Sequence, residues 1–254
     1  MLADRKWAQN SPSKYQCQDT IKSRQRDATA LATSRRKFYN QGMASVAHLP
    51  PLDRHTVLRG ATWDDYEQIL ERVGNGSARV TYAHGSIEIM SPLPEHERPK
   101  RAIGRLVENL TVEVGLPLQS FGSPTFRRKD RQAGLEPDEC FYIQNEAKVR
   151  GMTRFEPKIH PAPDLAIEVD VLSQSIAREP VYADLGVPEL WRYSEPRIAV
   201  RLLGTGGTYA DADRSAAFPF LPMNQFEHFV ARMLSEEQNG VIREFRNWVR
   251  SLPR

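Results

Sequence analysis

The sequence lacks the features of disulfide-rich, zinc-binding and membrane proteins. Its 254 residues include only two cysteines, Cys17 and Cys140, which lie far apart with no metal-ligand spacing around either. We therefore expect neither a disulfide framework nor a zinc knuckle. No apolar run approaches the roughly 20 residues that span a bilayer, and the N-terminus lacks the apolar segment of a secretory signal. These absences favour a cytoplasmic protein without a membrane partner.

Several common catalytic signatures are missing as well. The sequence contains no Ser-His-Asp elbow, no Gly-rich dinucleotide turn and no internal repeat. The segment Gly204-Thr-Gly-Gly207 stands between two predicted strands, and no Gly-Lys pair follows it. It is therefore predicted to be a hairpin turn rather than a phosphate-binding loop. A hydrophobic content of 40% over this length is sufficient for a substantial core.

The first 47 residues differ in composition from the rest. They contain nine Lys or Arg against three Asp and few apolar residues, which predicts a disordered basic tail that is either solvated or in contact with phosphates. Residues 48–254 are predicted to form a single domain. Because Met43 stands just before the part that is expected to be ordered, a start of translation at this residue is a further hypothesis.

Periodicity predicts a mixture of helices and strands after residue 62. Helices are expected from Thr62 to about Gly74, from the segment 94–99 to about Val114, at 181–185, at 224–234 and at 236–250. Strands are expected at 78–82, 86–90, 116–121, 125–128, 136–143, 163–173, 188–193 and 197–203. The strands 78–82 and 86–90 should form a hairpin across His84 and Gly85.

One predicted strand combines an apolar face with an acidic face. In the stretch Pro163 to Ser173, the two-residue period places Leu165, Ile167, Val169 and Val171 on one side, and Asp164, Ala166, Glu168 and Asp170 on the other. Three carboxylates on one face repel one another unless a cation, a base or water compensates them. The stretch is thus predicted to combine core packing with a charged site.

A second acid-bearing strand precedes it. The same period over residues 135–143 places Glu136 and Asp138 on the face that also carries Cys140 and Tyr142. If the two strands are neighbours, Asp138 and Glu168 come close enough to share a divalent cation. Ligands that are all oxygen favour a hard ion, Mg²⁺ or Mn²⁺. The alternative is that these carboxylates pair with nearby Arg or Lys.

Basic residues near the acidic strands are candidate contacts for nucleic acid. Arg127, Arg128 and Lys129 form a basic turn just before the first acidic strand, and His96 lies where a helix is expected to start. These side chains could attract a polyanion to a metal site. A polar hairpin tip and a solvated helix face have the same composition, so both interpretations stay open.

The motifs together resemble the Uma-two family of restriction endonucleases, within the PD-(D/E)XK nuclease superfamily. The pieces that carry the resemblance are Ile89-Met-Ser-Pro92 with His96, Leu135-Glu-Pro-Asp138, Pro163-Asp-Leu-Ala-Ile-Glu-Val169 and Tyr182-Ala-Asp-Leu-Gly-Val-Pro-Glu-Leu-Trp191. The resemblance implies an α/β, restriction-endonuclease-like core with a central mixed β-sheet flanked by helices, followed here by C-terminal helices. It also implies that Asp138 and Glu168 bind the metal.

The sequence departs from the superfamily pattern at one position. A Lys usually stands two residues after the second acid, whereas this chain has Asp170 there. Relatives that resemble this chain carry the basic residue in the following helix, where Arg178 stands here. An arginine stabilises charge on a phosphate but stays protonated, so it cannot act as a general base. Activation of water would then fall to the metal, to Asp170 or to Glu136.

The resulting prediction is a metal-dependent endonuclease that hydrolyses phosphodiester bonds in nucleic acid, with DNA as the expected polymer. Asp138, Glu168, Asp170 and Arg178 are the predicted catalytic residues. A catalytically inactive module that binds nucleic acid or another partner is the main alternative, and a hydrolase of small phosphate esters is a third. The sequence does not determine the oligomeric state, and a homodimer is one option.

Overall fold

A computed structural model describes residues 55–74, 76, 78–91, 94–170 and 176–253, with the side chains of 94–96 left out. The strands are β1 (His55–Arg59), β2 (Arg79–Ala83), β3 (Ser86–Met90), β4 (Gln119–Ser120), β5 (Phe126–Arg128), β6 (Ala133–Leu135), β7 (Glu139–Tyr142), β8 (Leu165–Val169), β9 (Glu189–Ser194), β10 (Arg197–Leu203) and β11 (Tyr209–Ala212). The helices are α1 (Trp63–Val73), α2 (Pro94–Val114), α3 (Glu146–Val149), α4 (Arg178–Leu185), α5 (Met223–Ser235) and α6 (Gln238–Ser251). The predicted basic tail and Met43 lie outside the described residues.

The described strands form two sheets. One has five antiparallel strands in the order β1-β3-β2-β6-β5, and the other has six in the order β11-β10-β9-β8-β7-β4. The six-stranded sheet is mixed, because β8 and β9 run parallel while its other neighbouring strands run antiparallel. The predicted α/β class is therefore confirmed, with a central mixed sheet, flanking helices and two C-terminal helices. The sequence did not predict a division into two sheets.

The alternating pattern of β8 places its residues in two different cores. Leu165, Ile167 and Val169 pack with α2, α5 and α6 on one face of the mixed sheet. Ala166 packs on the opposite face, with residues of α4, β5 and β6. Helix α4 thus lies between the mixed sheet and the five-stranded sheet, where it places its first turn beside Glu168.

Helix α1 covers the outer face of the five-stranded sheet. It begins at a capping box, in which the hydroxyl of Thr62 accepts from the backbone N–H of Asp65 at 3.1 Å and the Asp65 carboxylate accepts from the N–H of Thr62 at 2.8 Å. Its aromatic stripe packs Trp63 and Tyr66 against Tyr82 of β2. The start of this helix was correctly predicted from Thr62 and the acids that follow it.

The strand that was predicted at 136–143 is confirmed only over Glu139–Tyr142, which form β7 of the mixed sheet. The prediction is wrong for residues 136–138, which separate β7 from β6 of the five-stranded sheet. Pro137 has no N–H to donate to a strand ladder, which favours a break at this point. Residues 136–138, the crossing segment, form one of the connections between the two sheets and carry one of the predicted metal ligands. No helix in the described ranges is long and apolar enough to cross a membrane.

Candidate active site

The crossing segment is held by side chains rather than by a strand ladder. Its three successive backbone carbonyls accept hydrogen bonds from Arg178 to Glu136 at 2.9 Å, from Arg79 to Pro137 at 2.7 Å and from Ser123 to Asp138 at 2.7 Å. Buried carbonyls need such partners where the chain leaves one sheet before it joins the next. Two arginines are therefore fixed directly beside the predicted acidic site.

The carboxylate of Asp138 points toward the end of β8. Its Oδ2 accepts from the backbone N–H of Val169 at 2.8 Å, and its Oδ1 lies 3.8 Å from a guanidinium nitrogen of Arg79. Because Val169 follows Glu168 directly, these contacts place the two predicted metal ligands next to each other. Asp138 also raises the pKa of Glu168, as expected for neighbouring carboxylates.

Glu168 is buried, with a relative exposure of 2%, and both of its carboxylate oxygens have partners. Arg178 donates to Oε2, and the hydroxyl of Tyr182 donates to Oε1. Arg178 and Tyr182 are four residues apart on α4, so they lie on the same face of that helix. One helix face thus supplies both hydrogen bonds to the carboxylate.

Burial is the largest influence on the pKa of Glu168 and raises it to about 7. The Arg178 guanidinium opposes this shift, because an opposite charge favours the ionised carboxylate. Burial, the largest single cause, lowers the pKa of Arg178, but Glu168, Tyr182 and Asp138 together outweigh it, and the net shift is upward. The guanidinium is therefore a permanent positive charge in this interior.

Arg178 connects the two sheets. Besides Glu168 and the carbonyl of Glu136, its guanidinium donates to the Thr81 hydroxyl of β2 at 3.3 Å. Thr81 and Arg79 share one face of β2, opposite Val80 and Tyr82, which pack against α1. The inner face of the five-stranded sheet thus supplies polar groups to the site, whereas its outer face is apolar.

Asp170 lies outside this cluster of contacts. Its Oδ2 accepts from the Nε and one terminal nitrogen of Arg192, at 3.0 and 2.6 Å. Arg192 also donates to Glu179 at 3.1 Å, and Glu179 in turn accepts from Arg201. The predicted catalytic role of Asp170 is not tested by this arrangement, but its carboxylate is held by an ion pair on the side of β9.

Glu136, by contrast, lines an open groove of about 710 Å³ beside the crossing segment. Its carboxylate accepts from the Thr125 hydroxyl at 2.9 Å. Burial, the largest cause, raises the pKa of Glu136, and the Thr125 hydrogen bond opposes the shift. Arg127 and Arg154 contribute positive charge to the same groove. Of the two acids suggested for water activation, Glu136 lines this groove and Asp170 pairs with Arg192.

The residues of the predicted basic turn form ion pairs with acids. Arg127 lies 3.7 Å from Glu67, Arg128 lies 2.6 Å from Asp130 and Lys129 lies 3.6 Å from Asp64. His96 belongs to α2, but its side chain is outside the described residues. A contact of these four residues with nucleic acid stays a prediction, and the pairs lower the net positive charge of the turn.

The basic face of α2 is used partly for packing of the C-terminal helices. Arg98 donates to the carbonyl of Leu234 at 2.8 Å, and Arg105 donates to Gln238 at 3.3 Å and to Asn239 at 2.5 Å. These contacts bridge α2 to the junction between α5 and α6. The two arginines therefore have a structural role that does not require a polyanion.

Comparison with known proteins gives the family of this chain. The Uma2 family model, described as "Putative restriction endonuclease", matches residues 63–229. This chain belongs to the Uma2 family. Among solved structures, it is similar to a putative nuclease belonging to DUF820 from Anabaena variabilis, with 18% sequence identity, a TM-score of 0.37 and coverage of 61% of this chain and 89% of that chain. No curated protein matches the chain.

Two residues of this Uma2 site were missed by the sequence reasoning. Tyr182 was quoted as part of a motif, yet its spacing of four residues from Arg178 already placed the two on one helix face. Arg79 alternates with the apolar residues of β2, a two-residue pattern that predicts its side chain on the inner face of the sheet. The partners of both residues depend on the contact between the sheets, which no local pattern shows.

The acidic residues of this Uma2 site suit a hard cation in their chemistry, since Asp138 and Glu168 offer only oxygen donors. The guanidinium of Arg178 already supplies a positive charge in contact with Glu168. In the described ranges, no group of three or more His, Cys, Asp or Glu residues is placed to hold a metal ion. The two carboxylates therefore form a pair that fits a cation, with a guanidinium as its present counter-charge.

Proposed function

We propose that this chain is an endonuclease that hydrolyses phosphodiester bonds in nucleic acid, with DNA as its polymer and Mg²⁺ or Mn²⁺ as its cofactor. Membership of a family described as restriction endonucleases supports the reaction class. The observation that carries the proposal is a pair of neighbouring buried carboxylates close to a positive charge: Asp138, in the crossing segment just before β7, and Glu168, on the adjacent strand β8.

Asp138 and Glu168 are the residues that would hold the ion. A divalent ion bound there supplies positive charge that polarises the scissile phosphate and lowers the pKa of a water molecule. The chain itself positions the carboxylates: Val169 donates to Asp138, and Tyr182 donates to Glu168. These bonds fix both acids before substrate arrives, which is the condition for an organised site.

The groove beside Glu136 is the proposed approach for the nucleic acid. Two arginines, Arg127 and Arg154, line it together with three glutamates, Glu67, Glu71 and Glu136, and the rings of Phe121 and Phe155 offer surfaces on which bases can stack. Arg154 is the cation of this groove that would contact a phosphate, since Arg127 pairs with Glu67. Glu136 is the proposed acceptor of a proton from the attacking water. This assignment rests on its position in the groove, in contrast to Asp170, which Arg192 engages.

A second function is favoured by a specific contact. Both oxygens of Glu168 are already occupied by partners from α4, as expected of a domain that keeps the nuclease fold and binds nucleic acid without cleaving it. The two functions differ in whether a metal ion replaces the internal partners of Glu168.

The test is cleavage of plasmid and single-stranded DNA by the full chain in Mg²⁺ or Mn²⁺. We expect cleavage that is lost in Asp138→Asn and Glu168→Gln and kept in Asp211→Asn, a matched change of an exposed acid that pairs with Arg201 on β10. Cleavage that survives Glu168→Gln would exclude this site. Absence of cleavage together with DNA binding that weakens with salt would support the non-cleaving module.

A further inference from the structure

The cluster around Asp138 and Glu168 is balanced in charge by two arginines. Arg178 is hydrogen-bonded to Glu168, and Arg79 lies 3.8 Å from Asp138. Asp138, Glu168, Arg79 and Arg178 are all less than a tenth exposed. Arg79 also lies 3.8 Å from Glu97, a more exposed acid that pairs with Lys100 at 3.5 Å, so every carboxylate here has a cationic neighbour. A dication added to this buried set therefore finds little uncompensated negative charge.

The lone pairs that a metal would use are also engaged. One Glu168 oxygen accepts from Arg178 and the other from Tyr182, while one Asp138 oxygen accepts from the N–H of Val169. Mg²⁺ binds oxygen at about 2.0–2.1 Å and demands near-octahedral geometry. A guanidinium that donates to a carboxylate oxygen takes one of its acceptor positions and repels a second cation beside it, so the two cations compete for Glu168.

The shape of arginine allows it to occupy this position. Its planar fork presents several donors, and here one group contacts a carboxylate, a hydroxyl of β2 and a carbonyl of the crossing segment. A lysine ammonium is a compact point charge and reaches fewer partners at once. Arg178 thus fills the space between the sheets as well as supplying charge.

We propose that the guanidinium of Arg178 is the resident cation of this site and that Mg²⁺ or Mn²⁺ binds to Asp138 and Glu168 only in exchange for it. This inference rests on the proposed metal dependence. In the exchange, the bond from Arg178 to Glu168 is broken and the guanidinium moves away. The metal affinity of the chain is then set by Arg178, on a helix that provides no metal ligand.

The test measures binding of Mn²⁺ by calorimetry, without substrate. We expect Arg178→Gln, which removes the competing charge, to bind Mn²⁺ at least ten-fold more tightly than the unmodified chain. Arg178→Lys, which keeps the charge but reaches fewer partners, should show a smaller gain, and adding Asp138→Asn to either variant should abolish it. Arg150→Gln is the matched control, since it removes an arginine that donates to both oxygens of a different acid, Glu146, and it should leave the affinity unchanged. If Arg178→Gln does not fold, Arg178→Lys carries the test, because it keeps the charge.

The outcomes separate this inference from the proposed function. If the unmodified chain binds Mn²⁺ through Asp138 and the Arg178 variants bind no more tightly, the exchange is refuted and the metal-dependent function stands. If neither the unmodified chain nor the variants bind above the level of Asp138→Asn, both are refuted. Tight binding only in the Arg178 variants supports the exchange and accounts for weak metal dependence of the unmodified chain.

Discussion

Removing the hydroxyl of Tyr182 tests whether Glu168 is held as a charged group in the interior. In Tyr182→Phe, one oxygen of Glu168 loses its donor while the residue stays buried. A hydrogen bond to a charged group contributes about 1.5–3 kcal/mol, whereas a neutral one contributes about 0.5–1.5 kcal/mol. We therefore expect the free energy of unfolding to fall by about 2 kcal/mol.

Tyr142→Phe is the matched control. Tyr142 is also fully buried, but its hydroxyl donates to the neutral carbonyl of Pro161, at 3.0 Å. The same chemical change should therefore lower stability by only about 1 kcal/mol. With an m-value of about 2 kcal/mol/M in urea, the midpoint should move by about 1 M for Tyr182→Phe and about 0.5 M for Tyr142→Phe. Equal midpoints for the two variants would refute the reasoning.

Two further predictions concern the five-stranded sheet and helix α1, which covers it. In Gly134→Ala, the new Cβ would lie 2.4 Å from the hydroxyl of buried Tyr66, so we expect the free energy of unfolding in urea to fall by at least about 2 kcal/mol. Gly206→Ala is the control: nothing lies within 4 Å of its Cβ, and stability should change by less than about 0.5 kcal/mol. Equal losses in the two variants would contradict the packing argument. Thr62→Ala should lower the free energy of unfolding by about 1 kcal/mol, because the cap of α1 is lost, whereas Thr62→Ser should keep most of the stability of the unmodified chain. Equal urea midpoints for the Ala and Ser variants would show that the cap does not contribute.

Local patterns were sufficient for many elements of this fold, although β1 and β6 were not predicted. The apolar alternation of Leu165, Ile167 and Val169 correctly predicted a strand with one core-facing side, and Gly186 correctly predicted the end of α4, where it has a φ of 82°. Such elements depend on residues close together in the chain, so the sequence shows them directly.

The same patterns failed where partners come from distant parts of the chain. The alternation through residues 135–143 continued across the crossing segment, although the chain changes sheets at Pro137. The turn around Lys129 looked like a basic patch because its partner, Asp64, belongs to α1. Period and composition report the face of a residue, whereas the identity of its neighbour depends on how the sheets meet.

The crossing segment explains why structural and chemical roles cannot be separated in this site. Because the chain leaves the five-stranded sheet at Glu136 and enters the mixed sheet after Asp138, its carbonyls need donors from side chains, and arginines supply two of them. The same two guanidinium groups neutralise Asp138 and Glu168. Replacing Arg178 therefore changes both the support of the backbone and the charge that the acids experience. A lysine at this position would leave more of the charge of Glu168 uncompensated by hydrogen bonds and hence more available to a metal ion.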